Sequence, residues 1–95
     1  MPDIKERLSQ DIANIPWKDL LPHAKRDAVI VVSEKLNLLD VGAAIAQDHT
    51  AAVSTWIANK FIAKPSAQQL TVWNRELDKQ FTTLIVQPFV IVQEN

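Results

Sequence analysis

Near the end of the chain, Thr82 to Val92 reads TTLIVQPFVIV, and a stretch this apolar has to be covered on more than one side. Phe89, Val90, Ile91 and Val92 put apolar side chains on both faces of any strand they form, because successive strand residues point to opposite faces. A half-exposed strand would alternate apolar with polar residues instead. A second run of the same kind, Ala28 to Val32 (AVIVV), is rich in β-branched residues, which suit a pleated, buried surface. Both read as buried strands of one common sheet that helices then cover. The terminal stretch is broken at Gln87-Pro88, and proline cannot donate to a sheet ladder. A tight two-residue hairpin is not expected there, since Gln-Pro does not supply the positive φ that such turns use. One bent strand, or two strands joined by a kink, is the expectation.

Helical spacing accounts for most of the remainder. Ile4, Leu8 and Ile12 fall four apart, with Ile15 one turn on, which predicts a helix from Asp3 to about Asn14, ended by Pro16. Trp17, Leu20 and Leu21, held between Pro16 and Pro22, predict a single turn that plugs into the core. His23-Ala24-Lys25-Arg26-Asp27 follows as a polar connector. Asn37 is placed to cap a helix running to about Gln47, with Asp40 in its first turn and Val41, Ala44 and Ile45 inward. Gly42, Ala43, Ala44 and Ala46 are small and let a neighbour approach closely. Asp48 is expected to cap the next helix, from His49 or Thr50 to about Lys60, with Val53, Trp56 and Ile57 in the core. Phe61 to Lys64 is extended before Pro65, and Ser66-Ala67-Gln68-Gln69 matches a capping box. The helix it opens aligns Leu70, Trp73 and Leu77, with Phe81 beyond. The predicted order is helix-strand-helix-helix-helix-strand-strand. That is an α+β fold, about four helices packed on a small sheet in a single domain over 1–95, with a winged helix as its more specific form.

Composition then excludes several classes of function. At 95 residues and 47% apolar, the chain can build one core without staples. It contains no cysteine, so disulfides, thiolate metal sites and a cysteine nucleophile are out. A single glycine leaves no phosphate cradle, and neither GxSxG nor HExxH is present. His23 and His49 stand far apart. We therefore assign no catalytic residues, no metal and no cofactor. The opening residues are polar, with no leader pattern or membrane-length apolar run, and we expect a cytoplasmic protein without membrane attachment. A net charge of −1 gives no basic field to attract nucleic acid.

Three candidate surfaces remain. His23, Lys25, Arg26 and Asp27 form a loop that could hold a small anion or metabolite, with a solvated loop in which Arg26 pairs with Asp27 as the plainer reading. The stretch GAAIAQDHTAAVSTWIANK has the texture of a helix-turn-helix, in which His49, Thr50, Ser54 and Thr55 would face nucleic acid and Asn59 and Lys60 its phosphates. Against this stand Asp48 at the helix start and Lys60 as its single cation. Finally Phe89, Val90, Ile91 and Val92 would pair with a second copy if their strand lay at a sheet edge, and would be a central strand otherwise. Trp17, Trp56 and Trp73 sit at apolar-face positions and read as core. The leading expectation is a small non-enzymatic protein-interaction or regulatory module, homodimeric through that strand. A nucleic-acid-binding module is the alternative, and an anion or metabolite site the weaker third.

With IPWKDLLPHAKRDAVIVV, VGAAIAQDHTAAVSTWI, AKPSAQQL and LIVQPFVIVQ in view, the chain resembles, nearly end to end, a family of small bacterial proteins common in cyanobacteria and classed as a domain of unknown function. The resemblance implies a bacterial, cytoplasmic, single-domain protein. It brings no activity, cofactor or site residue.

Overall fold

The computed structural model describes residues 4–94. Its elements in chain order are α1 (Ile4–Ser9), β1 (Ala13–Pro16), α2 (Trp17–Lys25), β2 (Val29–Val32), α3 (Leu38–Ala46), α4 (Thr50–Ala58), β3 (Ile62–Ala63), α5 (Ala67–Trp73), β4 (Gln80–Val86) and β5 (Phe89–Glu94). The two apolar runs do meet in one sheet, of order β1-β4-β5-β2-β3. The strands β4 and β5 form an antiparallel hairpin, β5 runs parallel to β2, and the short β1 and β3 close the two sides antiparallel. The class is mixed α+β, with five helices rather than about four. The β4–β5 hairpin occupies the middle of the sheet rather than flanking a helix pair as a wing.

Alternation along the strands explains why the terminal run is apolar on both faces. Val29, Phe81, Val90 and Val92 point to one face, where Trp17 and Leu20 of α2 and Trp73 of α5 cover them. Val32, Ile62, Leu84, Val86 and Ile91 point to the other, against Leu38 and Val41 of α3. Helices thus lie on both faces, and the central strands lose their polar side. On the first face Trp17, Trp73 and Phe81 make a ring cluster with centroids 4.9–5.5 Å apart. The indole N–H of Trp17 donates to Asn74 Oδ1 at 2.8 Å, so its burial leaves no orphan donor. On the second face α3 lies close to β4. A Cβ placed on Gly42 would fall 2.5 Å from Leu84 Cδ2, which is the close approach the small residues foretold.

Local signals hold where the chemistry is local. Asn37 Oδ1 accepts from the N–H groups of Leu39 (2.8 Å) and Asp40 (3.3 Å). Both halves of the Ser66–Gln69 capping box are formed, at 3.0 and 2.9 Å. Other expectations are corrected. The first helix stops at Ser9, and Ala13–Pro16 is a strand on the edge of β4 (Asp3 lies outside the described residues). Trp17 to Lys25, expected as one turn and a connector, is a nine-residue helix that contains Pro22. Its start has no side-chain cap. Instead the N–H groups of Trp17 and Lys18 donate to the carbonyls of Lys79 (2.9 Å) and Leu77 (3.0 Å), a service only the folded chain can supply. Leu77 lies beyond the end of α5 and is exposed. The β4–β5 connection is, after all, a two-residue hairpin. Neither Gln87 nor Pro88 has positive φ, so this is not one of the primed turns.

Helices α2, α3 and α4 end alike. The residue after each C-cap has positive φ, namely Asp27 (65°), Asp48 (60°) and Lys60 (62°). In each case this residue and the next donate backwards to two carbonyls of the last turn, as Lys60 does to Ile57 (3.0 Å) and Phe61 to Trp56 (2.8 Å). This is the Schellman pattern, which glycine usually occupies. Asp48 therefore does not cap α4 with its side chain; His49 holds the N-cap position, without a side-chain bond.

Candidate binding groove

Helix α4 reads TAAVSTWIA, with no charged residue and apolar overall, yet none of its residues is buried. Val53 and Trp56 are half-buried against the second face of the sheet, and Ile57, expected in the core, is 57% exposed. An apolar helix normally has a covered stripe. Here the stripe faces a groove of about 770 Å³. Its floor is Ile30 of β2, Ile62 and Ala63 of β3, Phe89 of β5, and Ala44 and Ile45 of α3. Thr50, Val53, Ser54 and Ile57 form the α4 wall, and Gln87-Pro88 the lip. Those four wall residues fall at i, i+3, i+4 and i+7, one side of a helix.

The groove gathers several residues that the sequence singled out. His49, Thr50, Ser54 and Lys60 line it, whereas Thr55 and Asn59 do not. Thr55 turns its hydroxyl back to Ala51 O at 2.9 Å, and Asn59 is the C-cap of α4. Asp48 lies at one end of the α4 wall and Lys60 at the other, each on a positive-φ residue. Lys64, also at the groove, is paired with Asp27 at 2.7 Å.

A smaller concavity of about 400 Å³ on the other side of the Gln87-Pro88 lip holds His23, Arg26 and Asp27, with Ile85 46% exposed. Lys25 is exposed and does not line it. Arg26 Nη2 lies 2.6 Å from His23 Nδ1, so the expected Arg26–Asp27 pair gives way to Arg26–His23 and Asp27–Lys64. The third candidate is corrected outright. Val90, Ile91 and Val92 are paired with β4 on one side and β2 on the other, so their strand offers no edge to a second copy. Among the described residues, no three His, Asp or Glu side chains gather as metal ligands, and no helix is long and apolar enough to cross a membrane.

Comparison with known proteins fits this fold to a family. The profile of a protein of unknown function, DUF2288, matches residues 3–94. The chain belongs to the DUF2288 family. No curated protein matches this DUF2288 chain. Among solved structures it is similar to the solution NMR structure of PA1075 from Pseudomonas aeruginosa, at 26% identity and a TM-score of 0.83. The match covers 97% of the DUF2288 chain and 84% of PA1075.

The groove is the feature of this DUF2288 chain that sequence reading missed. One signal for it was present: His49 to Asn59 is an eleven-residue stretch without Asp, Glu, Lys or Arg, in a chain that is 22% charged. Ile30, Pro88 and Phe89 gave no such signal, because they join the groove only through the sheet order.

Proposed function

We propose that this DUF2288 chain is a non-enzymatic protein-interaction module that docks its partner in the groove beside α4. The carrying observation is that α4 is apolar and uncharged yet buries none of its residues, with Ile57 standing 57% exposed over a cleft. Depletion of charge around large apolar side chains is the compositional mark of an interface centre. The Pseudomonas aeruginosa source of the similar structure supports the bacterial setting, and a cytoplasmic one is part of this reading. The nucleic-acid reading gains less support, since α4 carries no cation and Asp48 offsets Lys60 at the same groove, leaving little counterion release. A small anion near His23 would meet the Asp27 carboxylate at once.

A photo-crosslinking residue in place of Ile57 tests the reading, with Val72 on α5 as the control because it is 47% exposed and does not line the groove. The expected result is a protein adduct of defined mass from position 57 and none from position 72. Failure of position 57 to give any protein adduct in the native cell would remove the groove as a docking surface.

A further inference from the structure

We infer that the groove's occupant is a second copy of this chain, its α4 lying antiparallel to the first across a two-fold axis at Ser54. The inference rests on the groove reading above and adds the identity of the partner. Its support is the placement of charge. Helix α4 spans Thr50–Ala58 and carries no charge, while Asp48 and Lys60 line the groove just before and just after it. Ser54 is the midpoint of the helix and also of the pair Asp48 and Lys60. An antiparallel copy centred on Ser54 therefore sets Asp48 of each chain against Lys60 of the other, two complementary pairs from a single operator. A parallel copy would set like charges together.

The centre of that crossing suits it. Ser54 is small, exposed and on the groove wall, so the two helices can come close there. A nine-residue helix is only about 14 Å long, too small on its own to supply the roughly 800 Å² that each side of a stable interface buries. Seated in the groove, it also reaches Pro88 and Phe89. Asp48 and Lys60 occupy left-handed backbone positions that glycine suits better than a residue with a side chain. Their charges at the two ends of one apolar helix give those side chains a use.

The test is a pair of charge reversals in the full chain, Asp48→Lys and Lys60→Asp, studied alone and mixed, by sedimentation velocity and native mass spectrometry with one copy isotope-labelled. Circular dichroism first verifies that each is folded; Lys60 already shows that lysine is accepted at such a position. Wild-type protein is expected to dimerise, and each variant alone to weaken the dimer about ten-fold or more, because like charges then face each other. The mixture should restore a one-to-one heterodimer. One variant then carries a cation at both helix ends and the other a carboxylate at both, so opposite charges meet again at each end of the crossing. Ile57→Glu, at an exposed position, should give a folded monomer. A wild-type monomer at about 1 mM overturns the second-copy inference while leaving the groove to the crosslinking result. A dimer indifferent to all three substitutions overturns it too, by placing the interface elsewhere.

Discussion

Gly42 illustrates how one missing methyl sets the distance between a helix and a sheet. It lies in the middle of α3, where alanine would ordinarily be better by about 1 kcal/mol. Here the added Cβ would stand 2.5 Å from Leu84 Cδ2, and Leu84 is a fully buried side chain that would have to shift within the core. Overpacking of this kind costs about 1–3 kcal/mol, so it outweighs the gain in helix propensity. Gly42→Ala is therefore expected to destabilise the protein by about 1 kcal/mol net, read as a lowered urea midpoint at unchanged slope. A rise in the midpoint would show that α3 can lift from β4 at little cost. That small residues cluster here is visible in the sequence; which neighbour they admit is not, because Leu84 arrives from a distant part of the chain.

At the scale of elements, the helix ends separate what local chemistry decides from what the fold decides. The caps at Asn37 and Ser66 were legible because donor and acceptor lie within three residues of each other. The start of α2 was not, because its N–H groups find carbonyls of Leu77 and Lys79. Nor was β1, a four-residue strand that forms by pairing with β4, far along the chain. The Schellman ends were also hidden, since Asp27, Asp48 and Lys60 stand where a reader looks for glycine. That substitution makes a prediction. Lys60→Gly removes the left-handed penalty of about 1–2 kcal/mol and adds unfolded-state entropy of smaller size. We expect it to raise stability by about 0.5–1 kcal/mol by chemical denaturation. A loss of stability instead would mean that the Lys60 side chain contributes to holding the folded chain.

Across the whole molecule, burial is unevenly shared between the centre of the sheet and the helix that borders the groove. Strand β5 is flanked on both sides, and its Val90, Ile91 and Val92 are buried on both faces by α2, α5 and α3. Helix α4 packs against the same core through half-buried Val53 and Trp56 and has no buried residue. Sequence periodicity marked α4 as a helix but not as an uncovered one, since Val53, Trp56 and Ile57 have the spacing of a core stripe whether or not anything lies over them. Opening free energy follows buried contact, so the two elements should exchange amide hydrogens by different routes. In dilute protein the amides of Val90–Val92 should exchange only with global unfolding and follow its dependence on denaturant. Those of Val53–Ala58 should exchange through a local opening that denaturant hardly affects, with protection lower by about 100-fold. Raising the protein concentration should then slow α4 selectively, because a second copy seated on it supplies the burial that the single chain lacks. If α4 in dilute protein is as protected as β5, the helix is already locked to the sheet, and its exposed apolar side no longer argues for a partner.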